Sequence, residues 1–339
     1  MIPALGASSQ RATTTAHRTA WTARSQCFRV CYVTQVRQAT GAEWDAWQED
    51  WRVRLERWYG QPDVPAEWAT VQVQNRMAGR QSAAVTGTFA LVSDETTVGI
   101  LALRVVDQGG TQLAVLDDVL VRSEHRRLGH AGHALQFAAN WALENEGGSL
   151  WVTTDPADEM HSAVFASYPI RAHQMIKRLS ATEPLAEGLE GQSMSATEFE
   201  GWREEAVRGY AADMMDSGSM PANLAYTESA RQFDHLLPDG LHTANHTFLS
   251  LYSNGEQVAT NWIGHKYAPG TSWVYGVEVH ENERGKGYGR AAMVIGEQAT
   301  VDAGDTHLGL NVFGHNDVAI SLYNGMGYRA YEYARSIDL

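Results

Sequence analysis

The chain has 339 residues, 44% of them apolar and eleven of them tryptophan, enough for two domains that each bury a core of ordinary size. No run approaches the ~20 uninterrupted apolar residues of a membrane-spanning helix, and a net charge of −14 disfavours nucleic acid, whose binding rests mainly on phosphate contacts. The only cysteines, Cys27 and Cys31, cannot form a disulfide framework and lack a second metal-binding pair, which suits a reducing cytoplasm.

In chain order, residues 1–30 are expected to form a tail outside the fold. Arg11, Arg18, Arg24, Arg29 and Arg37 stand among many Ser, Thr and Ala, and the first acidic residue is Glu43. Organelle transit peptides and disordered extensions share that composition. Trp44, Trp47, Trp51, Leu55 and Trp58 then recur at helical spacing, an apolar stripe expected to face a core. Two strands follow at 88–92 and 98–105, then a third carrying Asp117 and Asp118, a turn with Gly129, a helix at 131–144, another strand and a last helix. Paired acids at such a strand end are read as solvated or capping, although a basic function stays open. Ser180 to Ser193 is rich in Ser, Glu, Gly and Pro and lacks periodicity, which places a linker at 181–194 between domains at 31–180 and 195–339.

The second domain repeats the first at an offset of 158 residues. Asp118-Val119-Leu120-Val121 falls on Gly276-Val277-Glu278-Val279, Arg126 to Ala131 on Arg284 to Gly289, Leu150-Trp151-Val152 on Leu308-Gly309-Leu310, and Trp44 on Trp202. Four coincidences in one frame and in one order indicate a duplicated unit. Phe199, Trp202, Ala206 and Tyr210 form the second helical stripe, with Thr197 as its expected cap. Strands at 247–252 and 258–263 flank Asn254-Gly255, the strongest short hairpin signal because both residues accept positive φ. The element order predicts an α/β (α+β) protein in which each half is a mixed β-sheet flanked by helices.

The strand at 273–279 runs into Arg284-Gly285-Lys286-Gly287-Tyr288-Gly289 and then a helix near Arg290. Such a turn is built for anions, because glycines let the backbone approach closely and the first helical amides carry partial positive charge. His125, His130 and His133 crowd the equivalent turn of the first half, but their spacing fits no standard metal set, and no metal is expected.

The Arg-x-x-Gly-x-Gly turn is followed by a strand and then by Asn316-x-x-Ala319-x-x-Leu322-Tyr323-x-x-x-Gly327-Tyr328. This combination resembles the GNAT superfamily of N-acetyltransferases, and the tandem halves resemble its two-domain members. The resemblance implies an enzyme that moves an acetyl group from acetyl-CoA to an amine of a small molecule. By the same resemblance the backbone of Arg284, Gly285, Lys286, Gly287, Tyr288 and Gly289, with Arg290, holds the diphosphate of coenzyme A. Val277 and Val279 pair with its pantetheine arm, Asn316 contacts the cofactor, and Tyr323 is the acid that protonates the leaving thiolate.

Glu278 is the only carboxylate in the preceding strand and the candidate base, although strand alternation sets it opposite Trp273, Tyr275, Val277 and Val279. Tyr275 is a polar alternative that would position rather than deprotonate. Asn311 stands where some relatives have a glutamate. In the first half Val121, Arg126, Arg127, Gly129 and Ala131 form a possible second cofactor site, but Asp158 and Phe165 replace Asn316 and Tyr323, so that half is read as degenerate. A carrier-protein or aminoacyl-tRNA donor, or a non-catalytic acyl-CoA sensor, are the alternative readings.

Overall fold

The computed structural model describes residues 34–108, 111–216 and 222–339; the expected tail at 1–30 and both cysteines lie outside the described residues. The first half comprises β1 (Gln35–Gln38), α1 (Gly41–Tyr59), α2 (Ala66–Gln81), β2 (Val85–Ser93), β3 (Thr96–Gln108), β4 (Thr111–Val121), α3 (His130–Glu144), β5 (Ser149–Thr154), α4 (Glu159–Val164) and β6 (Ile170–Arg178). The second comprises β7 (Leu189–Ser193), α5 (Ala196–Asp216), α6 (Ala222–Leu236), β8 (His246–Ser253), β9 (Glu256–Ala268), β10 (Thr271–Val279), α7 (Tyr288–Asp302), β11 (His307–Phe313), α8 (Asp317–Gly325) and β12 (Arg329–Asp338). The helices α3 and α7, and likewise α4 and α8, begin at the 158-residue offset. No described helix is long and apolar enough to cross a membrane.

The stretch at 181–194 is not only a connection: β7 within it pairs antiparallel with β8. Its sequence, Leu-Glu-Gly-Gln-Ser, lacks the β-branched alternation that marks a strand, and it is an edge strand held by backbone pairing. The cap of α5 also moves. Ser195, not Thr197, forms the capping box, accepting from the Glu198 amide (3.3 Å) while Glu198 accepts from the Ser195 amide (2.7 Å).

Among the described residues all twelve strands join one sheet in the order β1-β2-β3-β4-β5-β12-β6-β11-β10-β9-β8-β7. Each half therefore gives its last strand to the other: β12 pairs with β5, and β6 pairs with β11. The two exchanged strands pair with each other antiparallel, and Gln174 lies opposite Glu332, its own counterpart at the 158-residue offset, so a pseudo-twofold axis passes between them.

Helices α3 and α7 cover one face of the sheet, and α1–α2 and α5–α6 the other. In α1 the buried stripe is Trp47, Trp51, Leu55 and Tyr59, whereas Trp44 is 38% exposed and Trp58 half-buried. The stripe thus runs one residue off the expected line, because the i, i+4 series that faces the sheet starts at Trp47. This layer also spans both halves, since Trp68 of α2 packs against Tyr267 and Trp273 of the second half and Tyr331 of β12.

Buried polar groups fasten the exchange. Glu332 of β12 accepts from Tyr59 (2.6 Å) and Gln174 (2.8 Å) and pairs with Arg76 of α2 (2.9 Å). Lys177 of β6 pairs with buried Glu297 of α7 (2.7 Å), which also accepts from Tyr328 (3.0 Å). In a water-poor interior each such group costs free energy unless matched, so these contacts fix register as well as position.

Asp117 and Asp118 are neither solvated nor capping. Asp117 is held between Arg80 and Arg104, each at 2.8 Å, and Asp118 between Arg54 (2.6 and 2.9 Å) and Trp47 Nε1 (2.8 Å). The cause is a β-bulge at Asp117, which turns both acids to the α1–α2 face. Asp117→Asn keeps the volume but removes the charge between two arginines, and is expected to cost about 2 kcal/mol; a lowered urea midpoint with unchanged slope checks this.

Candidate active site

The same bulge recurs in β10, at Tyr275. Beyond it the strands part: β10 pairs with β11 only over Thr271–Val274 and His307–Leu310, while its pairing with β9 continues to Val279. One edge of β10 is thereby left without a neighbour, so main-chain groups on that edge can accept an added strand. A cavity of about 440 Å³ occupies the opening, running from Arg284, Gly285, Gly287, Tyr288, Gly289 and Arg290 at one end to Val274, Gly276, Leu310 and Asn311 at the other, with Val277, Val279, Asn316 and Tyr323 along its walls.

The polar end is shaped by Gly285 and Gly287, at φ 78° and 88°. These left-handed residues turn successive amides toward one side, and Gly287 begins α7 without a side-chain cap. The neighbouring side chains hold the loop: Arg284 Nε donates to the Val279 carbonyl (3.2 Å), Lys286 pairs with Glu283 (2.9 Å), and Arg290 donates to the Gly325 carbonyl (3.0 Å). A Cβ on Gly289 would lie 3.2 Å from Leu322, so α7 and α8 approach closely there. Asn261 of β9, which no sequence signal marks, donates to the Ala292 carbonyl (2.7 Å) and fixes α7 against the sheet.

At the other end, Tyr323 is buried, lines the cavity, and packs edge-on against Tyr328. Burial pushes its phenol above the ordinary range, so it keeps its proton at neutral pH. Asn316 caps α8 by accepting from the Ala319 amide (3.1 Å) and also lines the cavity. The bulge revises the expected facing of Glu278. Val274, Val277 and Val279 pack on the α7 side, so Glu278 shares the opposite face with Trp273 and Tyr275. Glu278 is exposed at the strand surface, yet desolvation by the groups packed around it, and then Glu205 of α5, raise its carboxyl pKa, with Arg284 and His280 acting the other way. Tyr275 stacks on Trp262 at 4.6 Å as part of the wall beneath α5 and α6.

The first half keeps the turn, but side chains of α1 and α2 reach the parting of its strands. Arg127 adopts φ 63° where Gly285 has 78°, and Gly129 φ 93° where Gly287 has 88°. Arg126 Nε donates to the Val121 carbonyl as Arg284 does to Val279. Val121 is buried in the core, and Ala131 packs against it. At the parting of β4 and β5, however, Asp118 is clasped by Arg54, and Thr153, the counterpart of Asn311, accepts from Arg76 (2.8 Å). Phe165 follows a helix α4 of six residues where α8 has nine, and Tyr168 is buried in the core. His130 meets Thr34 Oγ1 at 2.8 Å, and His133 Nδ1 lies 3.1 Å from the Gly129 carbonyl.

A mixed sheet with parted central strands, a glycine turn opening a helix, and a buried tyrosine across the gap define an acyltransferase. Residues 44–166 and 212–328 match the Acetyltransferase (GNAT) family, and the chain belongs to that family as a tandem N-acetyltransferase. Over 140 residues, 40% of this chain, it is 30% identical to the uncharacterized N-acetyltransferase YycN and 28% identical to the uncharacterized N-acetyltransferase YdgE, both of Bacillus subtilis, covering 89% of each. It is also similar to a GCN5-related N-acetyltransferase from Sphaerobacter thermophilus, at 16% identity, TM-score 0.49, over 90% of this chain and 95% of that one.

Proposed function

We propose that the second half is catalytic and transfers an acetyl group from acetyl-CoA to a primary amine of a small molecule, in the cytoplasm. The observation that carries this reading is the contrast between the two strand partings: one holds a cavity joining an amide-rich turn to Tyr323, while at the other Arg54 pairs with Asp118 and Arg76 donates to Thr153. The amides of Arg284 to Gly289, with Arg290, receive the diphosphate, and the open edge of β10 at Val277 and Val279 receives the pantetheine arm, with Asn316 beside it. The amine nitrogen attacks the thioester carbon and gives its proton to Glu278; the C–S bond breaks, and the thiolate takes a proton from Tyr323. An acidic protein steers a cationic amine toward itself at long range.

Calorimetry on the full chain tests the donor, and turnover of acetyl-CoA against an amine panel, read with a thiol reagent, tests the transfer. Absence of acetyl-CoA binding would remove the assignment. A stoichiometry above one would assign a second coenzyme A to the first-half turn, Val121, Arg126, Arg127, Gly129 and Ala131.

The pH dependence follows from Glu278. A base works only when deprotonated, and its raised pKa moves the loss of activity on acidification to a pH above the usual carboxylate value of about 4.3. Glu278→Gln is expected to lower kcat/KM and to abolish that acid limb in the pH–rate profile.

A further inference from the structure

We propose that Asn311 orients the acceptor and makes the enzyme select primary amines over their N-methyl derivatives. The inference rests on the transfer reaction proposed above and names the group that holds the acceptor in it. Asn311 is half-buried on β11, lines the cavity at the end away from the glycine turn, and is the first residue beyond the last paired position of β10 and β11. Its neighbours Leu310 and Val312 are buried toward α7, so Asn311 points to the opposite face, the one that carries Tyr275 and Glu278 on the other strand. No protein group among the described residues hydrogen-bonds its carboxamide, whereas the same position in the first half, Thr153, is taken by Arg76. Among the described residues no cation of α5 or α6 bonds Asn311. Asp234 stands at the offset position of Arg76 and is turned outward to Arg203, at 2.6 Å.

A half-buried carboxamide that the fold leaves unused, lining the cavity where β10 and β11 part, is a hydrogen-bonding group awaiting a ligand. A neutral primary amine has one lone pair and two N–H bonds. With the lone pair aimed at the thioester carbon, one N–H faces Glu278 and the other faces the Asn311 carbonyl oxygen. Both contacts hold the nitrogen on its line of attack. A secondary amine has one N–H and forfeits one of the two. Charged or titratable groups that act on Glu278 are Glu205, Arg284 and His280, so the carboxamide adds direction without adding charge.

The test uses the full chain, acetyl-CoA, and the primary amine that turns over fastest in the panel, together with its N-methyl derivative. The parent is expected to favour the primary amine about tenfold or more in kcat/KM. Asn311→Ala is expected to reduce that ratio to near one while the calorimetric Kd for acetyl-CoA stays within twofold. Asn311→Asp retains an acceptor oxygen and is expected to keep the ratio, while its charge raises the pKa of Glu278 and shifts the acid limb to higher pH. The inference fails if Asn311→Ala keeps the parent ratio, if acetyl-CoA affinity falls in step with it, or if Asn311→Asp loses the ratio. A parent chain that binds acetyl-CoA but acetylates no amine takes down the transfer reading itself, before any variant is made.

Discussion

A chain ended after Tyr328 is expected to lose cooperative folding in both halves, although the deleted residues follow the whole Asn316-to-Tyr328 motif. The reason is the exchange of end strands. β12 supplies six register pairs to β5 of the first half and pairs along β6 as well. Its Tyr331 is 2% exposed among Trp68, Tyr59 and Ile176, and removing a buried aromatic of that size costs about 3–5 kcal/mol. Loss of Glu332 leaves Arg76 and Gln174 without their partner, and a buried charge stripped of its counter-ion costs about 3–5 kcal/mol more. Together these match the roughly 5–15 kcal/mol by which a typical domain is stable. Hydrogen exchange on the truncated chain is expected to show lost protection in β3 and β4, far from the cut in sequence. Native-like protection there would show that the first half folds alone. The isolated second half, lacking β6 between β11 and β12, is for the same reason not a usable test of cofactor binding.

The repeat and the glycine turn were legible because each rests on local sequence. Glycines at 285 and 287 are needed for φ near 80°, and the periodicity of α3 and α7 is visible in any window of fifteen residues. The exchange was not legible. β6 and β12 have the same alternation whether they pair at home or across the axis, so only the partner list distinguishes the two arrangements. The bulge at Tyr275 was hidden for a similar reason. Val-Tyr-Gly-Val-Glu-Val reads as clean alternation, and the extra residue, which turns Glu278 to the face of Trp273 and Tyr275, is forced by pairing to β9. Arg54, Arg76 and Arg80 lie on helices where arginine is ordinarily a solvated residue. Their contacts with Asp118, Thr153 and Asp117 emerge only when α1 and α2 are laid on the sheet.

Tyr323→Phe is expected to lower kcat by about 10²-fold or more, the range that a positioned general acid supplies, while leaving the acetyl-CoA Kd within twofold. The chain itself contains the packing control: Phe165 occupies the equivalent position in the first half at 1% exposure, so a ring without the hydroxyl is accommodated there. The Tyr323 hydroxyl has no protein partner among the described residues, so its removal orphans no buried donor or acceptor. Thermal unfolding should therefore be nearly unchanged and the loss confined to turnover. Parental activity in the variant would refute the acid role, and a parallel loss of acetyl-CoA affinity would make Tyr323 a binding group instead. The reverse substitution, Phe165→Tyr, is not expected to activate the first half. There the proton donor is only one of several missing parts, since Leu120 stands in place of Glu278 and Arg54 and Arg76 hold Asp118 and Thr153 where the second half leaves Gly276 and Asn311 open to the cavity.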